Sequence, residues 1–177
     1  MIKRDYLNHH KGKGYGTHIV PLKFIFKHIE VKNAIEMGTG FYSTSFLLNH
    51  VKEKLISIEM QDRAWMKKVK ARYKHPNIEW TLIFSDYPLV IMDLITRKTD
   101  LVLIDGSSIS RTISTYLCMK EDIPNIVLHD TESSWYGYEP LKEYEEHFGY
   151  RSFNFTNRIP NTRIYTKDKN LIDAIFC

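Results

Sequence analysis

The chain has 177 residues, 43% of them apolar and 26% charged, and a formal net charge of +4. That length gives one α/β domain a real core and leaves too little for two. No apolar run approaches a membrane span, and no apolar stretch follows the first charges as in a signal peptide, so a cytoplasmic chain without a membrane partner is expected.

The residues before position 17 are polar and read as a flexible segment. A helix is expected to follow, with Thr17 as N-cap and Pro21 in its first turn; Ile19, Leu22, Ile25, Phe26 and Ile29 recur at helical spacing. The first strand is predicted at 33–37. A glycine turn follows, then a helix capped by Ser43 or Thr44. The second strand is placed at 54–59, and Asp62 caps a helix whose Trp65, Met66 and Val69 face inward. The third strand is placed at 78–84, and a helix runs from Asp86 and Pro88 to about 97. The fourth strand, 100–105, holds an unbroken Leu-Val-Leu-Ile run, as expected for a strand covered on both faces. A helix at about 110–120 and a fifth strand at 125–129 come next. Glu139-Pro140 opens a helix that Gly149 ends. Two last runs, 150–155 and 163–165, form a hairpin across Pro160-Asn161.

Strands alternating with helices predict one domain: a doubly wound, mainly parallel seven-stranded sheet, helices on both faces, and a C-terminal antiparallel β-hairpin. Cys118 and Cys177 lack metal-site spacing and fit a reducing compartment without a structural disulfide. The basic run Lys67-Lys68-Val69-Lys70-Ala71-Arg72 is either a solvated helix face or a phosphate-contacting patch.

In such sheets ligands bind beyond the carboxyl ends of the strands, so chemistry is sought there. The first strand ends in Glu36-Met37-Gly38-Thr39-Gly40, where two glycines allow a tight turn and a close ligand approach. Ser43 stands where a dinucleotide site has its third glycine, so the turn alone serves either geometry or nucleotide-type binding. Glu59 lies nineteen residues past Gly40 and is placed to accept the hydroxyls of a ribose, unless it is simply a surface acid. Asp86, before Tyr87, either contacts an adenine amino group or caps a helix. Asp105 precedes Gly106 beside the centre of the cleft. His129-Asp130 ends the fifth strand. His129 is a candidate general base, Asp105 and Asp130 are candidate ligands of a divalent cation, and the alternative is that His129 and Asp130 only cap the sheet and a turn.

Taken together, Glu36-x-Gly38-x-Gly40-Phe41-Tyr42-Ser43-Thr44, Ile58-Glu59 with Trp65, Leu103-Ile104-Asp105-Gly106 with Arg111, and Val127-Leu128-His129-Asp130-Thr131 resemble the motifs of class I S-adenosylmethionine-dependent methyltransferases. The Ser-Thr ending of the first motif is similar to that of small bacterial and phage-type members, and the resemblance spans roughly residues 17–167. It implies a cofactor site of Glu36, Gly38, Thr39, Gly40, Ser43, Thr44, Glu59, Met60, Asp86, Tyr87 and Asp105, with S-adenosylmethionine as cofactor. Asp105, His129 and Asp130 become the catalytic candidates. The Asp105/Asp130 pair is similar to the metal site of catechol-type O-methyltransferases.

Two departures stand out. Tyr42 replaces a glycine common in the family, which narrows or reshapes the loop. Asp105-Gly106-Ser107-Ser108 replaces the Asn/Asp-Pro-Pro-Tyr element of base-amine methyltransferases. The sequence therefore points to O-methylation of a small or sugar-like acceptor, with His129, Asp130 or His18 as base. The aromatic run 133–138 is a candidate acceptor wall, or a loop packed on the sheet edge. The alternatives are a catalytically silent S-adenosylmethionine- or nucleotide-binding module, and an RNA or DNA methyltransferase using the basic run.

Overall fold

The computed structural model describes residues 16–73, 76–85, 87–132, 136–156 and 160–176. Five parallel strands, β1 (Asn33–Met37), β2 (Lys54–Glu59), β3 (Glu79–Phe84), β4 (Leu101–Ile104) and β5 (Asn125–His129), are followed by the antiparallel pair β6 (Arg151–Phe155) and β7 (Thr162–Thr166). The seven-stranded sheet has the order β3-β2-β1-β4-β5-β7-β6, with β7 antiparallel to β5. The helices are α1 (Ile19–His28), α2 (Ser43–His50), α3 (Arg63–Arg72), α4 (Ile91–Leu94), α5 (Ser108–Lys120), α6 (Leu141–Phe148) and α7 (Lys169–Phe176).

Alternation along the strands builds two cores. Ile35, Met37, Ile58, Val102, Ile104, Ile126 and Leu128 face α4, α5 and α6. Ala34, Leu55, Leu101, Leu103 and Val127 face α1, α2 and α7. Every residue of β4 and β5 is buried, as expected for strands covered on both sides. Successive side chains point to opposite faces, so one apolar run supplies both cores. Among the described residues, no helix is long and apolar enough to cross a membrane.

Several local expectations need correction. The cap of α1 is His18, whose side chain makes no capping bond, and not Thr17. Ser43 and Thr44 lie inside α2 rather than capping it; Tyr42 takes the cap position without a side-chain bond. Asp62 does cap α3, accepting from the N–H groups of Ala64 and Trp65, and Gly149 ends α6 at φ 73°. In α3 only Val69 is fully buried; Trp65 and Met66 are half-buried.

The fourth helix is a single 3₁₀ turn, Pro88–Val90, running into the short α4. It stops before 97 because Thr96 and Thr99 bond locally: Thr96 N–H donates to Thr99 Oγ1, and Lys98 N–H donates to Thr96 Oγ1. Such side-chain bonds compete with helix propagation. The hairpin does not end the fold. Asp168 Oδ1 accepts from the N–H groups of Asn170 and Leu171 and starts α7, which buries Leu171 beside α1.

Candidate active site

The cleft forms where the carboxyl ends of β1, β2, β4 and β5 meet. It has a volume of about 860 Å³. Its lining includes Gly38, Thr39, Gly40, Ser43, Glu59, Met60, Asp105, His129 and Asp130 of the expected set. Tyr42 and Trp65 also line it.

At the glycine turn, Gly38 has φ +88°, and a Cβ there would lie 2.2 Å from the Asp105 carbonyl oxygen. The first glycine therefore lets β1 and β4 come together at the edge of the cleft it lines. Gly40 is the open one: its Cβ would meet only Ser43 Oγ, at 3.1 Å. Trp65 Nε1 donates to the Thr39 carbonyl at 2.8 Å, tying the turn to α3.

Glu36 and Thr44 do not line the cleft; they brace the turn from beneath. Thr44 Oγ1 donates to Glu36 and accepts from the Gly40 N–H, while Ser57 Oγ donates to Glu36 Oε2 at 2.7 Å. Burial pushes the Glu36 carboxyl up to about 7, against the pull of these hydroxyl donors. Glu59 does face the cleft. Its Oε1 accepts from the N–H groups of Gln61 and Asp62, and its Oε2 accepts the Thr39 hydroxyl at 2.6 Å. A carboxylate offers about four lone-pair sites, so the Thr39 hydroxyl holds a position that a ligand hydroxyl can take over.

The turn's bulky neighbour has a structural use. The Tyr42 ring packs against Gly16, whose Cβ would lie 3.2 Å from Tyr42 Cγ. It thereby closes the rim between α2 and the segment leading into α1. At the end of β3, Asp86 lies outside the described residues. Tyr87 is 55% exposed and is not among the residues lining the cleft. Residues 133–135 of the aromatic run also lie outside the described residues.

The other end of the cleft is organised by Arg111, from the first half of α5. Its Nη1 donates to Asp130 Oδ2 at 2.6 Å and to the His129 carbonyl at 2.8 Å. Nη2 donates to Asp105 Oδ1 at 3.1 Å, and Nε to the Gly106 carbonyl at 3.0 Å. The guanidinium lies 4.5 Å from the centre of the Tyr136 ring. The two carboxylates therefore share a guanidinium. A divalent ion bridging Asp105 and Asp130 would have to displace it, so the pair does not fit the catechol-type metal position.

Asp130 adopts φ 57°, a left-handed conformation that Asp tolerates better than most residues, and this turns its carboxylate back toward Arg111. Burial pushes the Asp105 carboxyl up to about 8, with Arg111 opposing and Asp130 adding to the rise. Burial lowers His129 to about 4 and His18 to about 3, so both imidazoles are neutral near pH 7. His129 Nδ1 bonds Thr162 Oγ1 of β7 at 2.9 Å. His18 meets His129 edge-on, with ring centroids 4.8 Å apart. Tyr138, of the aromatic run, donates its hydroxyl to the His129 carbonyl, whereas Thr162 carried no sequence signal because it comes from a distant segment.

Neither a protein-family model nor a curated protein sequence matches the chain. Solved structures do match it. A methyltransferase-like protein from Silicibacter pomeroyi superposes with a TM-score of 0.62 at 18% identity, over 94% of this chain and 95% of that one. The chain has the class I methyltransferase fold. An O-methyltransferase from Bacillus cereus, solved in complex with SAH, gives a TM-score of 0.61 at 14% identity over 90% of this chain and 84% of that one. Precorrin-6y C5,15-methyltransferase from Geobacter metallireducens gives 0.59 at 16% identity over 85% and 88%. The methyltransferase fold thus accounts for the strand order and the reversed β7.

Proposed function

We propose that the chain is a single-domain S-adenosylmethionine-dependent methyltransferase that transfers the methyl group to a hydroxyl oxygen of a small or sugar-like acceptor. One observation carries this reading. A single cleft holds the glycine turn and Glu59 at one end and His18, Asp105, His129 and Asp130 at the other. The first group suits a nucleoside with a diol; the second suits a hydroxyl that must lose a proton. The SAH bound to the Bacillus cereus protein supports the same cofactor here.

The groups present fit that cofactor. Gly40 leaves room beside the backbone, Glu59 accepts from hydroxyls, and Phe41 and Trp65 add aromatic surface, their ring centroids 4.5 Å apart. When bound, the sulfonium supplies an already activated methyl group, so the protein's task is alignment. Asp105, which lines the same cleft, would serve the methionine portion or the acceptor. His129 Nε2 stands 3.5 Å from Asp130 Oδ1, which would stabilise an imidazolium formed on taking the acceptor proton. The free, buried Cys118 thiol suits a reducing, cytoplasmic setting.

Calorimetry with S-adenosylmethionine and S-adenosylhomocysteine tests the reading. Glu59→Ala should weaken binding of both by about 1–3 kcal/mol through the lost ribose bonds. Folded wild-type protein that binds neither ligand would refute it, and an unchanged Glu59→Ala affinity would remove the ribose assignment. Binding without turnover on a panel of hydroxyl acceptors would favour a catalytically silent module. A second reading, a nucleic-acid methyltransferase, draws on Lys67, Lys68, Lys70 and Arg72, all exposed on α3. It requires RNA or DNA binding that falls steeply with salt.

A further inference from the structure

His18 is the least explained polar residue of the cleft. It is 6% exposed, and both of its ring nitrogens are buried without a hydrogen-bond partner among the described residues. Buried polar groups of folded proteins nearly always have a partner, so an imidazole with neither nitrogen bonded calls for one. Its surroundings are chemically selective. Nδ1 stands 3.7 Å from Asp105 Oδ2, and Arg111 engages the other oxygen of that carboxylate. Thr162 holds His129 Nδ1, which leaves His129 Nε2 available. An outer partner on one nitrogen is how a ligating imidazole is commonly oriented. One ligand atom from each of His18, Asp105 and His129 falls within 4.8 Å of the others.

We propose that His18, His129 and Asp105 form a binding site for a divalent transition-metal ion at the acceptor end of the cleft. Two imidazoles and one carboxylate suit zinc, iron or a similar borderline ion. They do not suit magnesium or calcium, which take oxygen donors. Ligands placed about 2.1 Å from one ion stand roughly 3.0–3.4 Å apart, so the widest of the present spacings closes by up to roughly 1.4–1.8 Å on binding. That movement is assigned to His18, the cap of α1, whose side chain makes no capping bond to hold it. Neutral imidazoles keep a lone pair for a metal. Arg111 keeps Asp105 Oδ1, so the ion would take Oδ2, the oxygen that faces His18. All three ligands line the cleft, where an acceptor hydroxyl would bind, and with an ion bound His129 serves as a ligand instead of as the base. That use rests on the methyltransferase reading; the site itself does not.

The test is titration of chelator-treated wild-type protein with Co²⁺ and Zn²⁺, followed by calorimetry and by the visible absorption of bound cobalt. About one ion per chain is expected, with cobalt absorption typical of mixed nitrogen and oxygen ligation. His18→Ala and His129→Ala should each weaken binding by about 100-fold or more. Circular dichroism of each variant checks that it is folded, and the wild-type titration remains decisive if one is not. No heat and no absorption with wild-type protein at 100-fold molar excess of either ion would overturn the proposal. So would equal affinity in folded His18→Ala and His129→Ala. S-adenosylmethionine binding, measured separately without metal, tests the methyltransferase reading on its own.

Discussion

Gly38→Ala tests the account of the glycine turn most directly. An alanine at φ +88° sits in the left-handed region, which costs about 1–2 kcal/mol. Its Cβ would also lie 2.2 Å from the Asp105 carbonyl oxygen and 2.5 Å from the carbonyl carbon. Those are backbone atoms, so no side-chain rotation relieves the clash. The ends of β1 and β4 must part, although Asp105 N–H donates to the Met37 carbonyl at 2.8 Å and Gly38 N–H to Ile58 at 2.8 Å. Overpacking of this kind costs about 1–3 kcal/mol, and one lost hydrogen bond about 1 kcal/mol. The sum is about 3–6 kcal/mol, a large part of a typical domain's stability. Gly40→Ala is the comparison: its Cβ meets one hydroxyl at 3.1 Å, and it should cost under about 1 kcal/mol while weakening cofactor binding. Urea unfolding followed by tryptophan fluorescence measures both. A Gly38→Ala protein as stable as Gly40→Ala would refute the assignment of Gly38 to strand packing.

Arg111→Met should destabilise the fold by about 3–5 kcal/mol in urea, because two carboxylates lose their shared counter-charge. Adding Asp130→Asn should recover part of that loss; strictly additive effects would argue against a shared ion pair. Glu36→Gln should flatten the pH dependence of stability. The carboxyl of Glu36 is raised from 4.5 to about 7, so its contribution is fully present below pH 4.5 and is lost as pH rises through about 7. That change amounts to about 3 kcal/mol, and denaturation at several pH values reads it. Equal slopes in wild type and variant would contradict the buried, raised carboxyl.

Much of the sheet was readable because β4 and β5 carry unbroken apolar runs and because each strand end is marked by glycine or an acid. Asp62 and Gly149 were readable for the same reason: a cap acts within three or four residues of itself. The early end of α4 was missed because the Thr96 and Thr99 hydroxyls outcompete helix propagation, and α7 was missed although Asp168 caps it. At the site, Glu59 and Asp105 follow from strand-end position alone. What local sequence could not show is which carboxylate meets which cation. Arg111 reaches Asp105 and Asp130 only after α5 is laid against the sheet. Thr162 reaches His129 only because β7 runs beside β5. Gly38 lines the cleft and is also the packing point of two strands, which its place in a glycine turn does not reveal.

The reversal of β7 has a consequence for how such a cleft diversifies. The turn half is built from one continuous stretch, Glu36 to Trp65, braced from within. The opposite half adds residues from far ends of the chain to the Asp105, His129 and Asp130 strand ends: His18 before the first strand, Pro160 and Thr162 after the fifth. Changes at the two ends of the chain can therefore redraw what the cleft accepts while the stretch between them keeps its own bracing. Trimming at either end should erase acceptor choice well before it erases nucleoside binding.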